Sequence, residues 1–297
     1  MREALLGVGD DCALLRPRSG LDLAITTDML VEGRHFLPGA DPRALGHKTL
    51  AVNLSDLAAM GAAPRWALLA LALTAADEGW LSGFAEGFFA LAERFGVELI
   101  GGDTTRGAML TATVTAVGEL PAGTALLRSG ARPGDDVWVS GELGGAALAL
   151  IHPEIAQAAL RLHRPEPRCA LGERLRGLAT AAIDVSDGLA GDLAHLARRS
   201  GVAAVVDFER IPRPGAFRSL GNRQLEQDCI LSGGDDYELL FTVPAARAAE
   251  VQALADELEL ALTRIGRIET GPARLTVRDE GEREIAHRGG FDHFGGR

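Results

Sequence analysis

The chain has 297 residues and is 47% hydrophobic, which is enough for two domains with sizeable cores. Its formal net charge of −11, with Lys48 as its single lysine, argues against a nucleic-acid-binding protein, because such a protein needs a basic face. No apolar run reaches the ~18 residues that cross a bilayer, and the amino-terminal residues lack the pattern of a signal peptide, so we expect a cytoplasmic protein without a membrane anchor. The cysteines, Cys12, Cys169 and Cys229, show neither metal-binding nor disulfide spacing, so we expect three reduced thiols in the core.

The first two predicted elements are a strand and a long helix. Residues 21–27 form a strand-like run that ends at Asp28. Asp41, followed by proline, is typical of a helix start, and Gly61 is typical of a helix end. The helix between them is mostly apolar, but three polar residues at spacings of four and three form one stripe on it: Thr49, Asn53 and Asp56.

A second helix and a second strand complete the first half of the chain. The helix covers about residues 77–95 and carries its aromatic side chains on one face, which predicts packing in the core. Residues 97–100 predict a strand that ends in Gly101-Gly102-Asp103. Turn-forming residues then dominate 128–136, so we place a domain boundary near residue 130. This divides the chain into domains of residues 1–129 and 130–297.

The second half continues the alternation of strand and helix patterns. Residues 181–183 predict a strand followed by Asp184-Val185-Ser186-Asp187-Gly188. Residues 229–231 predict another strand, followed by Ser232-Gly233-Gly234-Asp235-Asp236. Strands and helices that alternate in both halves indicate an α/β or α+β fold.

Aspartates thus follow four predicted strands. In α/β sheets ligands bind beyond the carboxyl ends of strands, so we expect these residues to assemble one site. Carboxylates at 4 Å repel by about 4 kcal/mol per pair at an effective dielectric near 20, so cations must lie among them. Oxygen ligands select Mg²⁺, Ca²⁺ or Mn²⁺ over zinc or copper. The alternative for any single aspartate is a helix cap or a turn, although this explains the whole set poorly.

Two glycine-rich stretches, residues 101–107 and 232–234, can bring backbone N–H groups close to an anion. Arg106 and Arg128 can clamp phosphate oxygens, although a plain glycine turn is an equally good interpretation of either stretch. The sequence contains no Walker loop, protein-kinase signature, dinucleotide fingerprint, nucleophile elbow or H-E-x-x-H zinc motif. These absences favour phosphate binding dominated by metal ions.

Taken together, seven segments along the whole chain resemble the thiamine-monophosphate kinase family, within the superfamily of aminoimidazole ribonucleotide (AIR) synthetase and selenophosphate synthetase. The segments are residues 7–13, 26–36, 51–61, 101–107, 184–189, 232–239 and 291–294. The resemblance implies a two-domain AIR-synthetase-like fold and transfer of phosphate from ATP to thiamine monophosphate. It also implies a homodimer in which strands of the two amino-terminal, ATP- and Mg²⁺-binding domains form a β-barrel, with ATP near that interface.

The resemblance also implies roles for individual residues. Several Mg²⁺ ions are expected on Asp10, Thr26, Thr27, Asp28, Asp56, Asp103, Asp184 and Asp187. ATP contacts are expected from Gly102, Asp103, Arg128 and Ser186. Substrate contacts are expected from His35, Asp235 and Phe291. The residues expected to act on the transferring group are Asp28, Asp56, Asp103 and Asp187.

The expected chemistry needs no general base, because the attacking group is a phosphate whose second pKa near 6 leaves it ionised at neutral pH. The chain departs from the family at Asp235, where Glu is common, and at Phe291, where Tyr or Trp is common. It also has six residues before Gly7, whereas members of the family normally carry about twenty more residues there. Two alternatives remain open. One is another ATP-dependent branch of the superfamily, acting on a ribonucleotide amide or a carbamoylated protein, and the other is a relative that binds metal and nucleotide without turnover.

Overall fold

The computed structural model describes residues 4–9 and 11–290, and these form two mixed β-sheets with helices packed against them. The first sheet consists of β1 (Leu21–Val31), β2 (Ala63–Leu73), β3 (Glu98–Arg106) and β4 (Thr111–Pro121), in the order β1-β4-β2-β3. Strands β2 and β3 run parallel, and the other neighbours are antiparallel. As a consequence, β1 and β3 are the two edges of this sheet.

The second sheet lies in the carboxy-terminal half, with the order β10-β7-β9-β5-β8-β6. Its strands are β5 (Asp135–Ser140), β6 (Ala181–Asp184), β7 (Ala203–Asp207), β8 (Leu239–Pro244), β9 (Leu262–Glu269) and β10 (Arg274–Arg278). Only the β10–β7 pair is parallel among the described strands of this sheet. These mixed layers confirm the α/β (α+β) fold class.

Helices cover the sheets throughout the described chain. They are α1 (Pro42–Ala59), α2 (Glu78–Phe95), α3 (Gly145–Ile151), α4 (Ala156–His163), α5 (Cys169–Leu175), α6 (Leu189–Ser200), α7 (Ala216–Leu220), α8 (Arg223–Ser232) and α9 (Ala248–Leu258). Over residues 4–9 and 11–290, no helix combines the length and apolar character that crossing a membrane requires.

Helix α1 joins the two sheets. Its start and end agree with the prediction: the Asp41 side chain accepts hydrogen bonds from the N–H groups of Arg43 and Ala44, and Gly61 follows with φ +71°. Most of its side chains are buried, as expected for a helix that is apolar on nearly all sides. It contacts β1 and β4 of the first sheet and β6 and β8 of the second. Functional side chains of both halves are therefore brought together along one helix.

Helices α1 and α2 cross at very short range. A Cβ atom added to Gly46 would lie 2.0 Å from the carbonyl oxygen of Phe84, and one added to Gly87 would lie 1.8 Å from that of Arg43. The rings of Phe84 and Phe88 stack in the core at 6.4 Å between centroids, which confirms the predicted packing face of the second helix. Glycine at both crossing points allows the two backbones to touch.

Three local predictions are wrong. Asp28 and Asp103 lie within β1 and β3, because both strands extend beyond the aspartate. Residues 229–231 belong to helix α8, which begins after the cap Asn222, and a run of three apolar residues does not distinguish strand from helix. Cys12 is exposed, whereas Cys169 and Cys229 are buried as expected. The division into domains at residue 130 stays a prediction.

Candidate active site

A cleft of about 310 Å³ opens where β1, α1 and the carboxyl end of β6 meet. Its floor is acidic, and its rim is formed by the glycine-rich turn after α8 and by α3. The lining residues are Asp28, Met29, Leu30, Arg34, His35, Val52, Asp56, Leu150, Asp184, Ser186, Asp187, Gly233, Gly234, Asp235 and Tyr237. Residues separated by as many as 209 positions in the sequence therefore share one cavity, and they include four of the predicted aspartates, Asp28, Asp56, Asp184 and Asp187.

The polar stripe of α1 forms hydrogen bonds with strand β1 at this cleft. The side-chain oxygen of Asn53 accepts the N–H of Asp28 at 3.0 Å, and the hydroxyl of Thr26 donates to the Asp56 carboxylate. Thr49, the third member of the stripe, instead donates to the carbonyl oxygen of Leu45 in its own helix. Two of the three stripe residues, Asn53 and Asp56, thus connect α1 to strand β1 at the cleft.

A buried hydrogen bond connects the same helix to the second sheet. The hydroxyl of Ser55 donates to the carboxylate of Asp184 at 2.7 Å, and both side chains are buried. Asp184 is the last residue of β6, so this contact fixes the strand end beside Asp56. The adjacent positions 55 and 56 therefore place one hydrogen-bond donor and one carboxylate at the junction of the two halves.

Three carboxyl groups of the cleft have raised pKa values, because burial and, for Asp28 and Asp184, neighbouring carboxylates disfavour the charged form. Burial, followed by the carboxylates of Asp56 and Asp187, raises the pKa of Asp28 from 3.8 to about 6. Burial and Asp56 raise the pKa of Asp184 to about 7. Burial also raises the pKa of Asp56, against the opposing hydrogen bond from Thr26. Oxygen ligands that are destabilised by one another fit a hard divalent cation, which relieves both effects.

The carboxylates do not form a complete metal cage by themselves. Among residues 4–9 and 11–290, no three acidic, histidine or cysteine side chains converge on one ion position. Mg²⁺ usually keeps several waters and is held by one or two carboxylates together with substrate phosphates. The arrangement therefore fits ions that are shared between the protein and phosphorylated ligands.

The Asp192 side chain, on α6, holds the backbone of the loop after β6 by hydrogen bonds. One of its carboxylate oxygens accepts the N–H groups of Ser186 at 3.1 Å and Asp187 at 3.0 Å. The turn after α8 packs on the same loop, because Gly234, with φ +80°, brings its backbone so close that a Cβ would lie 2.3 Å from the Ser186 carbonyl oxygen. The Asp235 N–H donates to that oxygen at 2.8 Å. Both loops are thus held as one unit at the rim.

A second, smaller cavity of about 80 Å³ adjoins the acidic cleft. The two share Arg34, His35, Leu150 and Asp235 as lining residues. The remaining wall is largely apolar, with Phe36, Leu37, Ala40, Ala44, Leu45 and Leu162. The Nδ1 atom of His35 accepts the N–H of Val31 at 3.0 Å, so a neutral ring carries its proton on Nε2. An apolar chamber beside an acidic cleft suits a ligand with a flat ring at one end and, at the other, a phosphate accompanied by divalent cations.

Most of the predicted site residues come together here. Asp28, Asp56, Asp184, Ser186, Asp187, His35 and Asp235 line the cleft, and Thr26 reaches it through Asp56. Arg128 lies close enough for its charge to lower the pKa values of Asp56 and Asp184 against the larger effect of burial. Asp10 and Phe291 lie outside the described residues.

Thr27, Gly102 and Asp103 are not brought to the cleft within one chain. The Thr27 hydroxyl pairs with that of Thr115 at 2.7 Å on the exposed face of the sheet, opposite to Thr26. Asp103 lies in the same cross-strand row as Met29 on that outer face, and Gly102 lies beside it on β3. Strand β3 is the edge farthest from Asp28.

Sequence reasoning missed several residues that support the cleft. Ser55 holds the Asp184 carboxylate, Asp192 holds the backbone of the loop after β6, and Lys48 and Tyr237 contact Asp235. The signal for Lys48 was available, because a single lysine on a mostly apolar helix requires a partner. Nothing in the sequence pattern indicated Asp192, whose function depends on how α6 folds back on the loop.

The chain matches known proteins over most of its length. The AIR synthase related protein N-terminal domain matches residues 9–120, and the corresponding C-terminal domain matches residues 132–278. The thiamine-monophosphate kinase of Salmonella typhimurium is 44% identical over 298 residues, which cover 97% of this chain and 91% of that protein. The crystal structure of thiamine-monophosphate kinase from Stenotrophomonas maltophilia is 50% identical, with a TM-score of 0.87 over 94% of this chain and 92% of that one. AaThiL complexed with AMPPCP and TMP is 34% identical, with a TM-score of 0.81 over 94% of this chain and 89% of that one.

Proposed function

Because this chain belongs to the thiamine-monophosphate kinase family, within the AIR synthase related proteins, we propose that the cleft between β1, α1 and β6 is its active site. The reaction is the transfer of the γ-phosphoryl group of ATP to thiamine monophosphate, which gives ADP and thiamine diphosphate. The observation that carries the assignment to this cleft is the convergence of Asp28, Asp56 and Asp184 beside an apolar chamber. The acidic part suits Mg²⁺ ions that would carry the phosphate groups of both substrates, and the chamber suits the ring system of the acceptor.

The protein's contribution to the reaction is mainly positioning and electrostatics. The attacking atom is a phosphate oxygen of thiamine monophosphate, which is already ionised at neutral pH, so no side chain has to remove a proton. Asp28, Asp56, Asp184 and Asp187 would hold Mg²⁺, which supplies positive charge to the two polyanions and to the transferring group. Ser55 and Thr26 keep the carboxylates of Asp184 and Asp56 oriented before the substrates bind, and Asn53 holds the backbone of Asp28.

The two substrates enter from different sides of the cleft in this proposal. The acceptor ring occupies the apolar chamber, with contacts to His35 and Asp235, and the predicted contact of Phe291 belongs to the same end. ATP lies on the other side, near Ser186 and Arg128. Arg34 lines both cavities, at the point where the acceptor's phosphate must pass from one to the other.

We further propose a homodimer that completes the ATP site. The outer face of the first sheet exposes Ile25 by 65% and Met29 by 54%, which is unusual for large apolar side chains on a sheet. The edge strand β3 carries Gly102 and Asp103, the predicted ATP and metal contacts that do not reach the cleft within one chain. A β-barrel closed between two such sheets covers the apolar face and removes the open edges. Asp103 of one protomer then serves the cleft of the other.

The remaining assignments complete the proposal. Residues 1–129 form the ATP- and Mg²⁺-binding, dimer-forming domain, and residues 130–297 form the carboxy-terminal α/β domain. The enzyme acts in the cytoplasm, where ATP and Mg²⁺ are available to it. These assignments are supported by the arrangement of the two sheets around α1 and by the lack of a membrane-crossing helix among residues 4–9 and 11–290.

An assay of product formation tests the proposed function. Purified protein is incubated with ATP, Mg²⁺ and thiamine monophosphate, and thiamine diphosphate and ADP are quantified together. We expect the two products in equal amounts and none in the absence of Mg²⁺. ADP release that does not depend on thiamine monophosphate would instead indicate another ATP-dependent branch of the superfamily, and nucleotide binding without turnover would indicate an inactive relative.

A further inference from the structure

The chain's single lysine is buried next to the acceptor chamber. Lys48 lies on α1 and is only 3% exposed. Its Nζ atom donates to one carboxylate oxygen of Asp235 at 2.8 Å and to the carbonyl oxygen of His35 at 3.4 Å. A buried ammonium group costs several kcal/mol in lost hydration unless it is paired and hydrogen-bonded. Its position therefore depends on Asp235, a residue that lines both cavities.

Asp235 is constrained from several directions at once. Its second carboxylate oxygen accepts the hydroxyl of Tyr237 at 2.9 Å, and its N–H donates to Ser186. Asp235 and Tyr237 both have positive φ angles, 64° and 52°, which non-glycine residues adopt only when their surroundings impose them. The Asp235 side chain is nevertheless 29% exposed. A carboxylate on a strained turn is thus held by two side chains and still faces the cavities.

We infer that Lys48 and Tyr237 are positioning residues, which fix the Asp235 carboxylate so that it receives the acceptor substrate. The inference rests on the proposed contact between Asp235 and thiamine monophosphate. A carboxylate has about four lone-pair positions, and the two side chains use one on each oxygen, so further positions remain for a donor on the ligand. The aminopyrimidine and cationic ring of thiamine offer groups that such a carboxylate recognises.

A purely structural ion pair is the competing explanation, because the same contacts connect α1 to the turn after α8. The two explanations differ in kinetics. A structural pair affects stability, and any loss of activity follows the loss of folded protein. A positioning role raises the KM for thiamine monophosphate and leaves the KM for ATP nearly unchanged, because ATP does not contact Asp235 in this arrangement.

The experiment compares steady-state KM values for both substrates in Lys48→Met, Tyr237→Phe, Asp235→Asn and the double variant Lys48→Met/Asp235→Asn. Hydrogen bonds to charged groups are strong enough that we expect Lys48→Met to raise the KM for thiamine monophosphate about 10-fold. Tyr237→Phe keeps the buried ring and is expected to raise it about 3-fold or more. The double variant should have a KM for thiamine monophosphate no higher than that of the more impaired of its two single variants, because both changes remove one interaction unit.

Thr49→Val is the matched control, since Thr49 is the next residue on α1, is buried, and donates only within its own helix. We expect it to change thermal stability but neither KM. An unchanged or lowered KM for thiamine monophosphate in Lys48→Met, or an equal rise in both KM values, overturns the inference. If Lys48→Met does not fold, Tyr237→Phe decides, and a wild-type KM in that variant overturns it. A wild-type KM in Asp235→Asn locates the error in the proposed acceptor contact, whereas absent product with wild-type enzyme would locate it in the proposed function.

Discussion

At the scale of single residues, the cleft contains carboxyl groups whose charged forms are disfavoured by burial in the folded protein. Asp28 comes from a strand, Asp56 from a helix and Asp184 from a strand end, and each has a raised pKa chiefly because of burial. Neutral hydrogen-bond donors, Ser55 and Thr26, orient them without cancelling their charge. The site is therefore ready for cations and incomplete without them, which agrees with a reaction between two phosphorylated molecules.

The first prediction concerns Asp56. Asp56→Asn keeps the shape of the side chain and the contact with Thr26 but removes one negative charge from the proposed metal site. We expect kcat to fall at least ~10²-fold, as for the loss of one electrostatic group in an active site, with an unchanged circular dichroism spectrum. Asp22→Asn, an exposed aspartate at the start of strand β1 that does not line the cleft, serves as the control and should retain wild-type turnover. Wild-type rates in Asp56→Asn would refute its role.

The second prediction concerns Asp236 and the pH dependence of stability. Burial raises the pKa of Asp236 from 3.8 to about 7, although it accepts the N–H groups of Gly144 and Ala146 at the start of α3. The folded state therefore binds this proton more tightly than the unfolded chain does. The stability that the protonated group provides is complete below about pH 4 and is lost as the pH rises through about 7.

Asp236→Asn removes this titration. We expect the melting temperature of the variant, relative to wild type, to improve between pH 5 and pH 8, corresponding to on the order of 2 kcal/mol. Ile230→Val, a buried apolar change on the neighbouring helix α8, should lower the melting temperature by a similar amount at every pH. A difference between Asp236→Asn and wild type that is constant with pH would contradict the account.

At the scale of elements, helix α1 shows what a sequence can reveal and what it cannot. Asp41, the following proline and Gly61 fixed its limits correctly, since caps act through neighbouring backbone groups. Its polar stripe indicated the side that faces the candidate cleft. The partners of that stripe, however, depend on which strand lies opposite, and strand order is set by contacts far apart in the chain.

Two of the predicted strand ends were wrong for a related reason. The aspartates were expected just beyond the carboxyl ends of strands, and Asp184 does end β6, but Asp28 lies inside β1 and Asp103 inside β3. The aspartates come together because α1 packs between the two sheets, not because strand ends share one edge. For residues 229–231, the helix is set by the cap at Asn222 and by the preceding polar residues, which a short apolar window does not include.

The third prediction tests the crossing of α1 and α2. Gly46→Ala and Gly87→Ala each place a methyl group about 2 Å from a backbone carbonyl oxygen of the other helix, so the helices must separate. We expect each variant to lose about 2–3 kcal/mol of unfolding free energy by urea titration. In Gly79→Ala, near the start of α2, the nearest atom is the Asp77 carboxylate at 3.3 Å, and stability should be retained. Equal stability in all three variants would show that the close crossing is wrong.

At the scale of the whole molecule, the two edges of the first sheet carry residues that are predicted to serve one active site. Asp28 lies on β1 and Asp103 on β3, at opposite edges and on opposite faces. The proposed dimer, which closes these sheets into a barrel, accounts for the exposed Ile25 and Met29 and for the separation of Asp103 from the cleft. In this proposal, catalysis requires the dimer.

The fourth prediction uses mixed dimers. If each site combines Asp56 of one protomer with Asp103 of its partner, Asp56→Asn and Asp103→Asn chains are each inactive alone. Refolded together in equal amounts, half of the dimers are mixed, and each mixed dimer has one intact site, so roughly a quarter of wild-type activity should return. Mixing Asp56→Asn with Asp187→Asn, two residues that line the same cleft, is the control and should restore none. No recovery in the first mixture would place Asp103 outside the partner's site.

The central claim, that the cleft carboxylates hold divalent cations between two phosphorylated substrates, is tested most directly by locating the ions. Crystals grown with Mn²⁺, AMPPCP and thiamine monophosphate would be measured at the manganese absorption edge. We predict anomalous peaks within about 2–2.5 Å of carboxylate oxygens of Asp28, Asp56, Asp184 or Asp187, with phosphate oxygens of both ligands on their other sides. Both ligands bound with no manganese at these carboxylates would contradict the account.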